Sequence, residues 1–211
     1  HNSVLATLPA IYQARGQLAC MVIPKRERPA VFSQAQAEQL ARDGAVLVEQ
    51  LDGEEPLLLM ACGSYQLAEM QRAAVRLRTA GLAYRLVYVQ EPGRFRAPRD
   101  RWEAQALASP EVVAQLFAPA LRRRVLLTHM RPEVARGHLW PLLPEASNTV
   151  VLGYRNRGGT LDEAGMQFAN SATWAHILDA CAQLLQVPLS GVLSAAEITA
   201  VKGEGDPRVL R

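Results

Sequence analysis

The sequence contains few cysteines and no long apolar run, and both features exclude whole classes of protein. Its 211 residues include three cysteines, Cys20, Cys62 and Cys181, without CxxC or Cys/His ligand spacing. This pattern supports neither a disulfide framework nor a zinc site. No uninterrupted apolar stretch approaches the roughly 20 residues that a membrane span requires. The N-terminus lacks the charged-then-apolar order of a signal peptide, so we expect a soluble, cytoplasmic protein.

Several catalytic fingerprints are missing as well. The sequence has no P-loop, no GxGxxG and no GxSxG elbow, which argues against a nucleotide fingerprint and a hydrolase triad. Its carboxylates are scattered, and no spacing pairs two of them for acid/base or metal chemistry. Of the four histidines, His129 ends a predicted strand and therefore lies where an active-site rim is expected. His138 and His176 fall within predicted helices.

Positive charge is in slight excess and is interspersed with acids. Lys and Arg number 23 against 20 Asp and Glu, giving a net charge of +3. The densest basic cluster is Arg122-Arg123-Arg124, directly before an apolar run. It is either a solvated strand entrance or a phosphate-binding patch. Nucleic-acid binders usually carry a basic stripe with interleaved aromatics, which is not seen here, so we expect no nucleic-acid partner.

Four apolar runs alternate with amphipathic segments from residue 56 onward. The runs predict strands, and the segments between them predict helices over 65–80, after Ser109, over 131–143 and after Ser171. The strand sequences are PLLLMACG, AYRLVYVQ, RVLLTHM and NTVVLGY. This order predicts an α/β fold, Rossmann-like, with a mostly parallel sheet flanked by helices. Ligands of such sheets bind beyond the carboxyl ends of the strands.

The two ends of the chain are less regular. Residues 4–23 predict a helix that turns at Gly16 into a short strand, LACMVI, which Pro24 and Pro29 terminate. Helix 33–42 and an extended stretch, 44–51, follow. We therefore divide the chain into 1–55, the end of a neighbouring domain plus linker; 56–187, a Rossmann-like domain; and 188–211, a C-terminal tail.

The order of these segments resembles the C-terminal region of the thiamine-diphosphate-dependent phosphoketolases. In that family a short strand ends in a lysine followed closely by a proline turn, an acid- and alanine-rich helix and an apolar ACAGD strand. The present chain has MVIPKRERP, then SQAQAEQLARD, then EEPLLLMACGS. The agreement is one of order and spacing.

Later segments extend the resemblance over nearly the whole chain. RVLLTHM is similar to the family's strand ending in Tyr-His-Gly, and VVLGYRNRGGTLDEAGMQFANSATWAHILDAC to its arginine-glycine-tyrosine loop, threonine-rich turn and last helix. KGEGDPRVL is similar to a segment near the family's C-terminus. The chain departs from the family at Met130, at Arg155-Asn156-Arg157 and at Ser171.

The resemblance implies a transketolase C-terminal type of domain from a lyase of carbohydrate metabolism. The family cleaves xylulose 5-phosphate or fructose 6-phosphate with phosphate to give acetyl phosphate, using thiamine diphosphate and Mg²⁺. Its Gly-Asp-Gly and asparagine cofactor motif does not occur here, so we expect no cofactor in this chain alone and no activity without other domains. Lys25 corresponds to a lysine that holds the substrate phosphate. His129, Tyr154 and Asn170 match substrate-site motifs.

The same resemblance implies the partners. They are the remaining phosphoketolase domains or a separate subunit, a second copy in a homodimer, and a sugar phosphate substrate. Three alternatives remain open. One is the C-terminal domain of another thiamine-diphosphate enzyme, such as transketolase or the first component of a 2-oxo acid dehydrogenase. Another is a non-catalytic dimerisation module that binds an anion at the glycine-rich loop RNRGGT. The third is a polyanion binder that uses Arg122–Arg124 and the arginine loop 94–101, and its affinity would fall steeply with salt.

Overall fold

Helices and strands alternate along most of the chain. The computed structural model describes residues 2–13, 20–143 and 145–211. Its strands are β1 (Ala45–Leu51), β2 (Leu57–Cys62), β3 (Tyr84–Val89), β4 (Arg124–Thr128) and β5 (Thr149–Leu152). Its helices are α1 (Asn2–Gln13), α2 (Gln34–Asp43), α3 (Ser64–Thr79), α4 (Arg101–Ala104), α5 (Pro110–Leu116), α6 (Pro132–His138), α7 (Glu163–Ala169), α8 (Trp174–Leu185) and α9 (Ala195–Val201).

The five strands form one sheet in the order β1-β3-β2-β4-β5. β2 pairs in parallel with β3 and β4, and β4 pairs in parallel with β5. Only β1 runs antiparallel, along the outer side of β3, with an irregularity at Val48. The predicted fold class, a mostly parallel α/β sheet flanked by helices, is confirmed. None of the helices in the described residues combines the length and apolarity that crossing a membrane requires.

Strand β2 is buried on both faces. All six of its side chains are buried, and they alternate between two helical layers because strand side chains point to opposite faces. Leu57 and Leu59 lie in the core formed with α3 and α8. Leu58 and Met60 lie in the core formed with α5 and α6. This arrangement explains why the run LLLMAC is apolar without alternation.

Two of the predicted helices differ from the prediction at one end. The helix expected over 131–143 ends at His138, because Pro141 cannot supply a helical N–H, and a 3₁₀ turn, Trp140–Leu142, continues the chain. The last amphipathic helix begins at Trp174 after Thr173 rather than directly after Ser171. The helix after Ser109 is capped by that serine as expected.

The sheet begins before the predicted boundary at residue 56. β1 is hydrogen-bonded to β3, and α2 packs against β1, burying Ala37 and Leu40. A capping box between Ser33 and Gln36 starts α2. Because an edge strand needs only one neighbour, the extended stretch predicted at 44–51 completes the sheet on that side. The division into three domains stays a prediction.

The short strand predicted at residues 18–23 is wrong for its described part. Cys20 to Ile23 forms no strand and is exposed, with Val22 at 77% and Ile23 at 64%. A strand needs a hydrogen-bonded neighbour, and this stretch has none among the described residues. Residues 18 and 19 and the turn expected at Gly16 lie outside the described residues. We call residues 20–33 the arm.

The C-terminal segment packs against the sheet domain. It contains α9 and two 3₁₀ turns, Leu189–Gly191 and Pro207–Leu210. Leu210 is buried, and its carbonyl accepts hydrogen bonds from the Trp174 indole at 2.9 Å and from Arg72 at 3.2 Å. These bonds fasten residues 207–211 to α8 and α3.

The basic cluster at 122–124 is neither a solvated strand entrance throughout nor an open phosphate patch. Arg124 is only 3% exposed, and its guanidinium donates to four backbone carbonyls. The acceptors are the carbonyls of Leu121, Leu142, Phe117 and Ala118. Arg123 pairs with Glu55, which leaves Arg122 as the exposed member. A planar fork of five N–H donors suits this bridging task.

Replacing Arg124 tests this structural role. We expect Arg124→Met to lower the free energy of unfolding by about 3 kcal/mol, because the buried carbonyls lose their donors. Arg122→Met is the matched control, since it removes an exposed arginine two positions away, and should stay within about 0.5 kcal/mol of wild type. Urea denaturation of the three proteins measures both values. Equal stability of the two variants would contradict the assignment.

Candidate functional site

The carboxyl ends of four neighbouring strands meet at one edge of the sheet. We call this the carboxyl edge and define it by Gly63 after β2, Gln90 after β3, His129 after β4 and Gly153-Tyr154 after β5. Parallel strands bring residues that are distant in sequence together at such an edge, and ligands commonly bind there. Two of the predicted site residues, His129 and Tyr154, lie on it. Both are exposed.

Two glycines allow close approach of the backbone at this edge. Gly63 has φ +118°, and a Cβ there would lie 2.2 Å from the Gln66 amide oxygen. A Cβ on Gly153 would lie 2.4 Å from the carbonyl oxygen of Met130. Both positions therefore require glycine. The Tyr154 N–H donates to the same Met130 carbonyl at 3.0 Å, which continues the pairing of β4 and β5 beyond their ends.

His129 is attached to the end of β2. Its backbone N–H donates to the Cys62 carbonyl at 3.2 Å, and its ring Nδ1 lies 3.1 Å from the same oxygen. The Cys62 thiol is farther away, with Sγ at 3.9 Å from Nδ1. Burial raises the pKa of this thiol to about 11, opposed by a hydrogen bond from Thr128. Cys62 is thus a protonated core residue, not an activated nucleophile.

Asn170 shapes the loop that follows Tyr154. Its side chain is buried, and its Oδ1 accepts from the backbone N–H groups of Arg155 at 2.7 Å and Arg157 at 3.3 Å. Its Nδ2 donates to the Arg157 carbonyl at 3.1 Å and to the Met166 carbonyl at 2.8 Å. All hydrogen-bonding positions of the amide are therefore directed to the backbone. In this structure Asn170 positions the loop and does not itself face the carboxyl edge.

Lys25 lies on the arm and is exposed. The arm is anchored three residues later by Arg28, whose guanidinium stacks 4.0 Å from the centre of the Tyr65 ring and pairs with Glu163. Tyr65 is the second residue of α3, directly beyond Gly63. Three residues of chain span at most about 11 Å, so the Cα of Lys25 lies within that distance of the Cα of Arg28. Sequence reasoning missed Arg28 because its two partners are distant in sequence.

A half-buried histidine, His176, lies beside the same loop. The His176 Nδ1 is 2.7 Å from the Thr173 hydroxyl, and its ring lies 5.8 Å from that of Phe168. Burial lowers the pKa of His176 to about 4; Asp179 opposes this shift and Arg155 adds to it. His176 is therefore neutral at pH 7 and packs at the start of α8, as its position in a helix suggested.

One pocket in the described residues lies away from the carboxyl edge. It measures about 280 Å³ and lies between α3, α7 and residues 207–211, and none of the residues that define the carboxyl edge lines it. Its arginines are paired: Arg72 with Glu69 at 3.2 Å and Arg211 with Asp162 at 3.0 Å. An anionic ligand would have to break these pairs. We therefore place the candidate site at the carboxyl edge.

The described residues do not fit a thiamine diphosphate and Mg²⁺ site. Within residues 2–13, 20–143 and 145–211, no three His, Cys, Asp or Glu side chains lie together in a way that could hold a metal ion. Magnesium prefers carboxylate oxygens and substrate phosphates. The carboxyl edge presents a histidine, a tyrosine and glycines instead. No step of chemistry is therefore assigned to such a group in this chain.

Comparison with known proteins gives similarity of fold only. No family model matches the sequence, and no curated protein matches it. Among solved structures, a transketolase from Leishmania mexicana is similar over 74% of this chain and 20% of its own, with 14% identity and a TM-score of 0.49. A split-gene transketolase, described as an inactive beta4 tetramer, is similar over 75% and 46%, with 17% identity and a TM-score of 0.49. The chain thus spans less than half of either protein.

Removing the Asn170 amide should release the loop after Tyr154. We expect Asn170→Ala to cost about 3 kcal/mol in the free energy of unfolding, because four buried hydrogen bonds are lost. Amide hydrogen exchange of Arg155 and Arg157 should accelerate at the same time. Asn148→Ala is the control. It replaces a half-buried asparagine at the amino end of β5, away from the loop, and should leave both amides protected. If the exchange rates of these two amides stayed unchanged in Asn170→Ala, the loop would keep its structure without the Asn170 side chain, which would contradict this role.

His176 should make stability depend on pH in the acid range. Its pKa is lowered in the folded state, so its stabilising effect is complete above the unfolded value of about 6.5 and is lost as the pH falls towards 4. The loss amounts to at most about 3 kcal/mol. His176→Asn keeps an acceptor for Thr173 and should flatten this dependence. Equal stability differences between wild type and variant at pH 7 and pH 4, measured by urea unfolding, would contradict the assignment.

Proposed function

We propose that this chain is the C-terminal domain of a thiamine-diphosphate-dependent enzyme of the phosphoketolase type. In the complete enzyme it takes part in cleaving a ketose phosphate with phosphate to give acetyl phosphate, and it is not catalytic alone. Two features support the proposal. The order and spacing of its segments resemble that family, and its fold is a mostly parallel sheet whose open carboxyl edge suits a ligand.

One observation carries most of the weight, and it is the path of the arm. The arm is held at Arg28 by Tyr65 and Glu163, and at Phe32 by the Tyr88 ring, whose centre is 5.2 Å away. These contacts support a position of the exposed Lys25 near the carboxyl edge. An ammonium group on a long side chain is a suitable partner for a phosphate. The phosphate of the sugar is accordingly assigned to Lys25.

The cofactor and Mg²⁺ belong to other parts of the enzyme in this proposal. Because the described residues offer no metal-ligand cluster, the remaining domains or a separate subunit must hold them. This chain then contributes to the wall of the substrate site: Lys25 on the arm, His129 and Tyr154 on the sheet edge, and Asn170 behind the loop. A homodimer is the proposed assembly.

Two other functions remain as candidates. A domain of transketolase or of a 2-oxo acid dehydrogenase first component would share the fold, and the product formed distinguishes it. A non-catalytic assembly module is favoured by exposed apolar side chains on α1, where Leu5 is 57% and Tyr12 is 84% exposed. An adjoining domain of the same enzyme would cover the same side chains. The assembly module and the enzyme domain would therefore both have a partner on α1, and only enzymatic activity distinguishes them.

The first test is the mass of the natural polypeptide. An antibody against this chain should detect a band about three to four times the calculated 23.1 kDa in cell extracts. The purified polypeptide should form acetyl phosphate from xylulose 5-phosphate and inorganic phosphate with thiamine diphosphate and Mg²⁺. A band near 23 kDa would direct the search to a separate subunit, co-purified with the same antibody. Absence of acetyl phosphate formation by either species would overturn the proposal.

Lys25 can then be tested against a matched lysine. We expect Lys25→Ala to lower kcat/KM for the ketose phosphate by about 10- to 100-fold, the effect of losing one charge-assisted hydrogen bond. Lys202→Ala removes the other lysine of the chain, which is exposed at the end of α9, and should have no effect. Lys25→Arg should restore part of the loss. Equal effects of the two alanine variants would remove Lys25 from the site.

A further inference from the structure

The ring of His129 is held in one tautomer by its contact with Cys62. Its Nδ1 lies 3.1 Å from a carbonyl oxygen, which can only accept a hydrogen bond. The contact is therefore a hydrogen bond only when Nδ1 carries the proton. The Cys62 Sγ is farther from Nδ1, at 3.9 Å, and a thiol is only a weak hydrogen-bonding group. The carbonyl is thus the partner that decides the tautomer.

The surroundings of this contact are rigid. The Cys62 carbonyl also accepts the backbone N–H of His129 at 3.2 Å, so main chain and ring are attached to the same atom. Cys62 ends a strand in which every side chain is buried. Gly63 lies directly beside the ring, since a Cβ there would be in van der Waals contact with Nδ1 at 3.4 Å. A side chain held in this way is pre-organised for binding.

The fixed tautomer determines what the open side of the ring can do. A neutral imidazole has one N–H and one lone pair. With Nδ1 protonated and turned towards Cys62, the lone pair is on Nε2, which is the ring atom farther from the backbone. His129 is an exposed residue, and Nδ1 is the ring nitrogen that contacts Cys62, which leaves Nε2 for a ligand. In the neutral ring this nitrogen can accept a hydrogen bond but cannot donate one.

We propose that His129 is a specificity-determining residue whose Nε2 accepts a hydrogen bond from a hydroxyl group of a polyhydroxylated ligand. The lone pair on Nε2 would repel an anionic group of a ligand. The role of His129 therefore differs from that of Lys25, which binds the phosphate in the proposed function. The Tyr154 hydroxyl donates to the Asn156 side chain at 2.9 Å, so its oxygen is also left as an acceptor on the next strand end. Two acceptors suit a polyol. The choice of a ketose phosphate as ligand rests on the proposed function.

The tautomer can be measured without any ligand. We would label the histidines of the 211-residue chain with ¹⁵N and record long-range imidazole correlations at an alkaline pH where histidines are neutral. His129→Asn assigns the signals by difference. The proton should be found on Nδ1. A ring protonated mainly on Nε2 would overturn the inference.

The acceptor role is tested by ligand discrimination in the purified natural enzyme. Dissociation constants would be measured calorimetrically for xylulose 5-phosphate and for each of its singly deoxygenated analogues. The wild type should bind one analogue about tenfold more weakly than the parent sugar, the value of one neutral hydrogen bond. His129→Asn keeps a donor for the Cys62 carbonyl but lacks Nε2. It should bind the parent about tenfold more weakly and no longer distinguish that analogue.

His138→Asn is the matched control, since it replaces a half-buried histidine at the end of α6, and it should bind every ligand as the wild type does. Full discrimination in His129→Asn would overturn the inference and leave the proposed function intact. Failure of the wild type to bind or turn over any ketose phosphate would overturn the proposed function and, with it, this ligand for His129. The tautomer measurement would still report on the ring.

Discussion

The complete burial of β2 determines where the other elements can lie. A strand without an exposed face must have a strand on each side and a helical layer above and below it. β3 and β4 occupy the two sides, while α3 with α8, and α5 with α6, form the layers. The end of β2 therefore lies between strands on both sides and helices on both faces. Both the backbone N–H and the ring Nδ1 of His129 are hydrogen-bonded to the carbonyl oxygen of Cys62, the last residue of β2.

Burial also explains the hydrogen bonds of two charged or polar groups. Arg124 donates to backbone carbonyls of the chain near the start of β4, and Asn170 is hydrogen-bonded to backbone groups of the loop after β5. Each side chain supplies hydrogen-bond partners to irregular backbone, as strand pairing does within the sheet. The two residues therefore preserve the backbone geometry at opposite ends of the sheet.

The parts of the fold that were predictable follow from local pattern. The apolar run of β2 and the amphipathic stripe of α8 each carry their own signal, and their order predicts a mostly parallel sheet. The direction of β1 has no local signal, because pairing with β3 is a long-range choice. The run at 20–23 has the composition of a strand, but composition cannot supply a neighbour to pair with. Arg124 was ambiguous because three successive arginines give no indication of which one is buried.

In the candidate site, too, some features could be predicted from local sequence and others could not. That His129 and Tyr154 lie at strand ends could be predicted from the runs that precede them. The bond from His129 to Cys62 depends on the register of β2 and β4, which joins residues 67 positions apart. The contact of Arg28 with Glu163 spans 135 positions and is equally invisible in the sequence.

The N-terminal segments narrow the part of the carboxyl edge that a ligand can reach. Gln90, at the end of β3, donates to the Thr7 hydroxyl of α1 at 2.8 Å, and Tyr88 is covered by Phe32. The end of β3 is therefore occupied by the chain itself. The open part lies beyond β4 and β5, where His129 and Tyr154 are exposed. Because one strand end is covered while the ends of β4 and β5 stay open, the exposed side chains of His129 and Tyr154 lie in one region of the edge. Polar groups placed close together in this way can fix the orientation of a small ligand.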